Sequence, residues 1–267
     1  MSLRVVVTGV GGRMGSMIVR QAREAGFLVV GGTERPGSPG LGQDVGALSG
    51  GKPMGVTVVD QLDKAIRQGR AQAVIDFTSA EASLVHAGFA GKAKIPLIIG
   101  STGFDAAKRV KLSALARVIP IVASPNMSVG VNLMIEVAAL LAKRLGETFD
   151  VEVLETHHRL KKDSPSGTAL RLADEIAKAT NRTEKDFRME RVGNIGERDR
   201  DEIGIQTLRG GDVVGEHTVY YFGDGERIEL SHRATSREQF ARGALRAAQW
   251  AVDKAPGLYS MKDVLAE

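Results

Sequence analysis

The chain has 267 residues, no cysteine and a net charge of +4, with 43% hydrophobic and 25% charged residues. The absence of cysteine excludes disulfide bonds, thiolate zinc sites and cysteine nucleophiles. This length and composition are typical of a globular protein with one large domain or two modest ones.

The small positive charge is spread along the chain, and no basic run alternates with aromatic residues. This pattern disfavours nucleic acid as a partner. It fits either an ordinary solvated surface or an anionic ligand such as a nucleotide or a dicarboxylate. The sequence shows no apolar run long enough to span a bilayer and no signal segment, so we expect no membrane partner and a cytoplasmic location.

A glycine-rich loop follows the first predicted strand. Residues 3–8 form a short apolar run, Gly9, Gly12 and Gly15 come next, and a helical pattern covers residues 14–25. This order is the context of a dinucleotide-binding loop, because small residues let the backbone approach a pyrophosphate and a helix N-terminus attracts it. The spacing differs from the commoner G-x-G-x-x-G, and a simple tight turn is the alternative.

An acidic and a basic residue follow the second predicted strand, which covers residues 27–33. Glu34 stands where an acidic residue normally accepts the adenosine ribose hydroxyls and favours NAD. Arg35 beside it favours the extra phosphate of NADP. The pair therefore predicts tolerance of both NADH and NADPH, and a charged loop after a strand is the alternative.

Strands and helices then alternate along the first half of the chain. Residues 35–55 are rich in Gly, Pro and Ser and predict a long loop. Further strands are predicted at residues 56–59, 73–78, 96–99 and 118–123, with helices at residues 60–69, 80–91 and 105–116. The alternation predicts an α/β fold with a Rossmann-like, doubly wound parallel sheet covered on both faces.

The predicted strands end in glycine or small polar residues. Three such ends are Asp76-Phe77-Thr78, Gly100-Ser101-Thr102 and Ser124-Pro125-Asn126-Met127. In a doubly wound sheet the ligand lies across the carboxyl ends of the strands. The segment 100–102 is the best candidate for the nicotinamide half, because its backbone allows close approach and Thr102 can donate. Ordinary helix caps are the alternative.

The pattern changes near Asn126. The elements predicted beyond it are helices at residues 129–145, 169–179 and 237–254, strands at 149–155, 203–208, 213–222 and 227–235, and a short segment at 260–265. Successive strands without intervening helices predict a second, α+β domain with a mixed or antiparallel sheet. We expect a dinucleotide-binding domain at 1–127 plus 239–267, and a substrate-binding and oligomerisation domain at 128–238. Homo-oligomerisation is expected because the sheet has helices for only one face.

Two histidines and two lysines are crowded into the stretch ETHHRLKKDSPSGTAL, which begins at Glu155. His157 and His158 end a predicted strand, so their side chains point to opposite faces. Histidine suits proton transfer near neutral pH, and Lys161 can add a second proton or a fixed charge. A metal is disfavoured because lysines repel a cation and no acidic residue sits at zinc-ligand spacing, with Glu155 as the only near candidate. An ordinary surface pair of histidines is the alternative.

Ser166, Gly167 and Thr168 come just before the next predicted helix. Serine and threonine are natural helix N-caps, which is the simplest interpretation. The same geometry also makes an anion site, and together with Lys161 it would hold a carboxylate. A nucleotide-binding domain, proton donors and a carboxylate site together predict an oxidoreductase.

The stretch that begins at Glu155 resembles the signature E-x-H-H-x-x-K-x-D-x-P-S-G-T-A of the 4-hydroxy-tetrahydrodipicolinate reductase (dihydrodipicolinate reductase) family. Further matches lie in family order along essentially the whole chain. They are V-x-G-x-x-G-R-M-G near the N-terminus, the turn at 34–37, G-S-T-G-F at 100–104, P-N-M-S-V-G-V-N at 125–132, G-x-x-V-G-E-H-T at 211–218 and S-H-R-A-T-S-R at 231–237. Ser101, Ser164 and Met127 depart from the family, which often has Thr, Ala and Phe there.

The resemblance implies an NADH- or NADPH-dependent enzyme of the diaminopimelate route to lysine. The implied reaction is hydride transfer to C4 of the dehydrated substrate ring, followed by protonation. His157 is the implied proton donor, and Lys161 is the implied second donor or substrate polariser. The implied contacts to the dicarboxylate substrate are His158, Ser166, Gly167 and Thr168.

The resemblance also implies a set of cofactor contacts. They are Gly9, Val10, Gly11, Gly12, Arg13, Met14, Glu34, Arg35, Gly100, Ser101, Thr102, Ser124, Pro125, Asn126 and Met127. A homotetramer that pairs the sheets of its C-terminal domains is implied too, as is a hinge that closes on ligand binding.

Two other functions compete with this one. The first is an amino-acid or sugar dehydrogenase with a similar nucleotide domain, and the His-His-x-x-Lys run followed by Ser-Gly-Thr argues against it. The second is a non-catalytic binding protein that responds to NAD(H). A sensor needs no paired proton donors, so the donor cluster disfavours that function.

Overall fold

The computed structural model describes residues 2–266, and these residues form two compact units. The first unit runs to Val129 and resumes at Glu238, and the second is Gly130–Arg237. The first unit is thus discontinuous in sequence. The sequence pattern places the two divisions at nearly the same points, 127/128 and 238/239.

A parallel sheet forms the centre of the first unit. Its strands are β1 (Arg4–Thr8), β2 (Leu28–Thr33), β3 (Val58–Val59), β4 (Ala73–Asp76), β5 (Leu97–Ile99), β6 (Pro120–Ala123) and β12 (Gly257–Tyr259). Within the described residues the strand order is β12-β6-β5-β4-β1-β2-β3, and all neighbours are parallel. The order reverses between β1 and β4, which opens a crevice at the carboxyl ends of the strands. The predicted doubly wound α/β fold is confirmed.

Both faces of this sheet are covered by helices. Val5 and Val7 of β1 point into one core and Val6 points into the other. The helices are α1 (Arg13–Glu24), α8 (Glu238–Ala251) and α9 (Met261–Leu265) on the first face, and α3 (Leu62–Gly69), α4 (Ala80–Ala93) and α5 (Ala106–Leu115) on the second. Burial on both faces explains why the strands are almost entirely apolar.

The predicted long loop at residues 35–55 contains a short helix, α2 (Val45–Leu48). Asp44 caps this helix. Its carboxylate accepts from the backbone N–H groups of Gly46, Ala47, Met54, Gly55 and Val56. Burial opposes ionisation, but these backbone hydrogen bonds outweigh it and lower the pKa of Asp44. One half-buried carboxylate therefore orders a segment that composition alone predicts to be irregular.

The C-terminal segment is also more regular than predicted. Strand β12 pairs with β6 at the edge of the sheet. Ser260 then caps α9 through a capping box with Asp263, in which the side chain of each residue accepts a hydrogen bond from the backbone N–H of the other. The short strand has too few residues for a period-two pattern to show in the sequence.

A mixed sheet forms the centre of the second unit. Its strands are β7 (Asp150–His157), β8 (Phe187–Arg188), β9 (Ile203–Arg209), β10 (Gly215–Gly223) and β11 (Glu226–Ala234). The order among the described strands is β11-β10-β7-β9-β8. β10 is antiparallel to β7 and β11, whereas β9 is parallel to β7 and β8. The predicted second α+β domain is confirmed, but β8 is absent from the sequence prediction.

Two helices cover one face of the second sheet. They are α6 (Val129–Leu145), which begins at the last residue of the first unit, and α7 (Gly167–Ala179). Val219 and Tyr221 of β10 lie in the core with these helices, and the Tyr221 hydroxyl donates to the Ala138 carbonyl at 2.6 Å. Tyr220 and Phe222 alternate with them and therefore point to the opposite face. Their rings stack at 5.6 Å, and Phe222 is 37% exposed.

Candidate active site

The glycine loop after β1 is built by close backbone approach. Gly9 has a φ of +63°, in the left-handed region that favours glycine. Its carbonyl accepts from the Gly12 N–H at 3.0 Å. A Cβ on Gly15 would lie 2.0 Å from the same carbonyl, so α1 packs against the loop only because residue 15 lacks a side chain.

The N-terminus of α1 is open to an anion. The helix begins at Arg13 with Gly12 as N-cap, and within the described chain no side chain caps it. The N–H groups of a first helical turn have no partner inside the helix. Together with the helix dipole they suit the pyrophosphate of a dinucleotide.

Glu34 and Arg35 stand at the carboxyl end of β2, beside this loop. Glu34 accepts from the Gly11 N–H at 2.8 Å, and the Val10 N–H donates to the Thr33 carbonyl at 3.2 Å. These bonds tie the second strand to the glycine loop. Arg35 is exposed. Both charged residues, with Gly9, line a cavity of about 760 Å³, a size that suits a small-molecule ligand.

A buried carboxylate supports this edge of the sheet. Asp76, at the end of β4, accepts from the Thr8 hydroxyl at 3.0 Å, from the Thr78 hydroxyl at 2.6 Å and from His86 Nδ1 at 2.7 Å. Burial opposes ionisation, but the hydrogen bond and the charge of His86 lower the pKa of Asp76. Thr78 and His86 also line the cavity. Asp76 and Thr78 are predicted from the sequence to lie at this edge, whereas His86 is not.

The segment 100–102 at the end of β5 differs from expectation in one respect. A Cβ on Gly100 would lie 2.2 Å from the Phe77 ring, so the glycine accommodates that ring. Ser101 shares a hydrogen bond with Ser83 at 2.8 Å, and Thr102 is exposed. The space beside Gly100, which the sequence pattern predicts for a ligand, is thus occupied by the Phe77 ring.

The segment at the end of β6 is held by its own polar groups. The buried Ser124 hydroxyl donates to the Asn126 carbonyl at 2.8 Å, and Asn126 Oδ1 accepts from the Ser128 N–H at 2.9 Å. Pro125 is exposed. The Met127 side chain is 1% exposed and lies in the hydrophobic core of the first unit. The part of Met127 that remains for a ligand is its backbone.

In the second unit, strand register brings polar residues together at the end of β7. Glu155 lies opposite Thr207 of β9 and His217 of β10, and His157 lies opposite Arg209 of β9. Glu155 and His157 are two residues apart, so they share a face of the sheet. Residues that are far apart in sequence thus meet around one carboxylate.

Glu155 is completely buried and accepts several hydrogen bonds. Its partners are the Ser166 N–H (3.0 Å), the Thr207 hydroxyl (3.2 Å), Arg209 Nη1 (2.8 Å) and Nη2 (2.9 Å), and His157 Nδ1 (2.5 Å). Burial raises the pKa of a carboxyl, but the bonds from His157 and Arg209 outweigh it and lower the pKa of Glu155 to about 2. Glu155 is therefore ionised at neutral pH.

A second histidine packs against His157. The His217 ring lies edge-on to it, with centroids 5.3 Å apart. His217 is 4% exposed, and burial together with the neighbouring His157 lowers the pKa of His217 to about 3. His217 is thus neutral at physiological pH. Its Nε2 lies 3.2 Å from the Ser166 hydroxyl.

Ser166 is the N-cap of helix α7, which begins at Gly167, two residues before the predicted first residue. Its hydroxyl accepts from the Ala169 N–H at 3.2 Å, as an N-cap does. Gly167 is exposed, and a Cβ on it would meet no described atom within 4 Å. The fold therefore does not require glycine at residue 167, and its lack of a side chain leaves open space before the helix. Thr168 is half-buried.

Lys161 lies in the turn between β7 and α7. Its Nζ donates to both carboxylate oxygens of Asp163, at 2.9 and 2.8 Å. The Lys161 side chain is 20% exposed, and its bond lowers the pKa of the exposed Asp163. The next residue, Lys162, is exposed. Lys161 is thus the more buried of two adjacent lysines.

Family models match both halves of the chain. Residues 3–127 match the dihydrodipicolinate reductase N-terminus, and residues 130–265 match the dihydrodipicolinate reductase C-terminus. The chain belongs to the dihydrodipicolinate reductase family. It is therefore an oxidoreductase, and the resemblance seen in its motifs is confirmed.

Curated members of the dihydrodipicolinate reductase family resemble the whole chain. The 4-hydroxy-tetrahydrodipicolinate reductase of Myxococcus xanthus is 58% identical over 264 residues, which cover 98% of this chain and 97% of the relative. That of Anaeromyxobacter dehalogenans is 56% identical over 264 residues, with the same coverage. A solved structure, dipicolinate-bound dihydrodipicolinate reductase from Paenisporosarcina sp. TG-14, has a TM-score of 0.79 at 24% identity. It covers 99% of this chain and 100% of its own, and shows similarity of fold.

Sequence reasoning within the reductase family names some of this site and misses the rest. His157, Ser166 and Gly167 lie around the end of β7 and the start of α7, as the motif order suggests. His158 follows the last residue of β7, and its buried Nδ1 has no partner among the described residues. Arg209, which binds Glu155, and His217, which packs on His157, are not among the residues predicted from the sequence. The one available signal was the G-E-H-T run, which carries the resemblance but no assigned role.

Two further findings concern ligands and membranes. Within residues 2–266, no group of three or more His, Asp or Glu side chains is arranged to hold a metal ion. None of the described helices is both long enough and apolar enough to cross a bilayer.

Proposed function

We propose that this chain catalyses the NADH- or NADPH-dependent reduction of 4-hydroxy-tetrahydrodipicolinate, by way of dihydrodipicolinate, to tetrahydrodipicolinate. This step belongs to the diaminopimelate route to lysine. The observation that carries the proposal is a histidine on a buried carboxylate beside an open helix N-terminus. The high identity to reductases named for this substrate supports it.

The carboxyl edge of the first sheet fits a nicotinamide cofactor. The open N-terminus of α1 suits the pyrophosphate, Glu34 suits the ribose hydroxyls, and Arg35 suits a ribose phosphate. The segments at 100–102 and 124–127 are the further proposed contacts. Bound NADH or NADPH supplies the hydride. Because both Glu34 and Arg35 are present, we propose that either cofactor is used.

The second unit supplies the proton. Addition of a hydride at C4 of the substrate ring leaves an electron pair that must take a proton, so the reaction consumes one proton with each hydride. We assign the donation to His157 through Nε2, because Nδ1 is engaged by Glu155. Lys161 is the second donor or polarises the substrate, which requires it to exchange its bond to Asp163 for one to the ligand.

The N-terminus of α7 suits the carboxylates of the substrate. The first-turn N–H groups and the open space at Gly167 accept an anion, and Thr168 adds a hydroxyl. His158 is the further proposed contact, since its Nδ1 is buried without a partner among the described residues. Ser166 holds the helix in place through its capping bond.

The test is an assay of cofactor oxidation. The condensation product of pyruvate and aspartate semialdehyde is generated in the cuvette, and NADH or NADPH absorbance is followed with micromolar enzyme. We expect turnover with both cofactors, dependent on the condensation product. Absence of turnover with either cofactor would reject the proposed function.

We further propose that the protein is a homotetramer through the open face of the second sheet. Phe222 is 37% exposed on this face and Leu208 is 52% exposed on it, and exposed large apolar residues on a sheet face are typical of an interface. Light scattering at micromolar concentration is expected to give the tetramer mass. A monomeric mass would reject this assembly.

A further inference from the structure

The buried carboxylate of Glu155 contacts both halves of the proposed site. One oxygen, Oε2, accepts from His157 Nδ1 at 2.5 Å. The other, Oε1, accepts from the Ser166 N–H at 3.0 Å, directly before the first residue of α7. The proton donor and the proposed anion-binding helix are thus bonded to the same side chain.

We infer that Glu155 is a positioning residue: it keeps the His157 proton on Nδ1, so that Nε2 delivers the catalytic proton, and it fixes the start of α7. This inference rests on the proposed function, in which His157 is the proton donor. Glu155 need not touch the substrate, because it acts through His157 and through Ser166.

The hydrogen-bond partners of Glu155 determine the direction of the bond to His157. A backbone N–H and an arginine can only donate, and both donate to Glu155. Both carboxylate oxygens are therefore acceptors, and the remaining partner, His157 Nδ1, must be the donor. A neutral imidazole with its proton on Nδ1 has a free lone pair on Nε2, which is the atom that can take up and release a proton.

Arg209 keeps this buried carboxylate ionised. Its guanidinium binds Glu155 through two nitrogens, at 2.8 and 2.9 Å, and a third bond runs from Arg209 Nη2 to the Asp163 carbonyl at 2.7 Å. Such a two-point bond fixes the plane of the carboxylate as well as its charge. The plane in turn fixes the direction in which Oε2 meets the imidazole.

The other side of His157 is fixed as well. A Cβ on Gly215 would lie 2.9 Å from His157 Nε2, so β10 accommodates this end of the ring only because residue 215 lacks a side chain. His217 packs edge-on to the ring. The imidazole therefore has little freedom to turn, and the Glu155 bond decides which nitrogen points to which side.

The same strand offers a matched carboxylate with no contact to His157. Glu152 is three residues earlier and points to the opposite face of the sheet. It binds two arginines, Arg191 (3.0 and 2.7 Å) and Arg198 (3.1 Å). If a carboxylate–arginine pair in β7 served only the stability of the sheet, Glu152 and Glu155 would be equivalent for activity.

The first test reads the tautomer in the intact protein without substrate. Nitrogen NMR of the histidine-labelled enzyme resolves the two ring nitrogens, and the spectrum of His157→Gln assigns the His157 signal among the five histidines of the chain. We expect neutral His157 to carry its proton on Nδ1. A proton on Nε2 would overturn the inference, and this reading does not depend on the identity of the substrate.

The second test compares three variants in the cofactor-oxidation assay. Glu155→Gln offers one acceptor oxygen in place of two, and we expect kcat to fall roughly hundredfold, the cost of a misplaced catalytic group, with the KM for NADH within twofold. Glu155→Asp keeps the charge and is expected to recover part of the rate. Glu152→Gln is expected to keep kcat within twofold, although its melting temperature falls.

Three results would contradict the inference. The first is an unchanged kcat in Glu155→Gln, and the second is a loss of kcat in Glu152→Gln equal to that in Glu155→Gln. The third is a Glu155→Asp variant that keeps the full rate although its NMR spectrum shows no proton on His157 Nδ1. Should Glu155→Gln fail to fold, the wild-type spectrum and Glu155→Asp decide. If the wild type does not reduce the condensation product, the proposed function fails while the tautomer measurement still tests the bond.

Discussion

The carboxyl edge of the first sheet and the end of β7 in the second sheet hold their functional groups by different means. The first uses backbone: a glycine with positive φ, an uncapped helix N-terminus and an N–H bonded to Glu34. The second uses side chains gathered around the buried charge of Glu155. Both regions include a helix N-terminus, but only the second adds the histidine and lysine side chains that we propose as proton donors.

This difference predicts how each region responds to substitution. Each group in the backbone-built site contributes to binding independently of the others, so substitution of one side chain there should alter cofactor affinity and cofactor choice. The second site depends on a buried charge with several partners, and removal of one member leaves the others unsatisfied. Substitutions there should lower kcat, and some should also change the pH dependence of stability.

Lys161→Ala should lower the rate strongly. It removes a proposed proton donor, and we expect kcat to fall about hundredfold, as for loss of a positioned acid. The affinity for NADH, measured by calorimetry, should stay within twofold. Lys162→Ala is the matched control, because it removes an adjacent, exposed lysine. Equal losses in the two variants would show that general positive charge, and not Lys161, is needed.

Gly167→Ala should weaken substrate binding. A methyl group would project into the open space before α7, so we expect KM for the substrate to rise about tenfold, equivalent to roughly 1.4 kcal/mol. Alanine favours a helix over glycine, so the melting temperature should hold or rise. Gly88→Ala in α4 is the control, since its Cβ also meets no described atom within 4 Å. An unchanged KM would show that the substrate carboxylate does not bind at the N-terminus of α7.

Arg35→Ala should change cofactor preference. Loss of one charged contact to the ribose phosphate should weaken NADPH about fivefold to tenfold and leave NADH within twofold. Calorimetric titration with each cofactor measures both effects. Arg117→Ala, at another exposed arginine of the first unit, should alter neither affinity. An equal loss of affinity for NADH and NADPH would show that Arg35 does not bind the ribose phosphate of NADPH.

His217→Gln should alter stability more than chemistry. The pKa of His217 is about 3 in the folded state, whereas an unperturbed histidine has a pKa of 6.5. Between these values the unfolded chain binds more protons, so wild-type stability falls as pH falls. The free energy of unfolding, measured with urea between pH 6 and pH 4, should therefore depend less steeply on pH in the variant than in the wild type. The two slopes should differ by up to about 1.4 kcal/mol per pH unit, because this range lies roughly between the two pKa values. An identical slope in both proteins would show that His217 does not remain neutral.

The sequence predicts the fold well where its signals are local. Alternating apolar strands and helices are sufficient for the first sheet, and the glycine spacing is sufficient for the loop after β1. It fails where one distant residue imposes order: Asp44 organises 45–56 through backbone bonds that no periodicity encodes. Strand β8 has two residues and shows no pattern of its own.

The candidate site divides in the same way. His157, Lys161 and Gly167 lie within one stretch, so motif reasoning finds them together. Arg209 and His217 reach the site only through strand register, 54 residues from Glu155 in the case of Arg209. A single sequence does not encode which strands pair. Glu155 stood in the motif, but its burial and its partners become visible only when the sheet is assembled.

The central claim is that His157 delivers the proton while the first unit binds the cofactor independently. The measurement that tests it compares wild type, His157→Gln and His158→Gln for kcat, substrate KM and NADH affinity. We predict that His157→Gln loses at least about hundredfold in kcat with NADH affinity unchanged, and that His158→Gln mainly raises KM. An unchanged kcat in His157→Gln, or a loss of NADH affinity equal to the loss of rate, would contradict the claim.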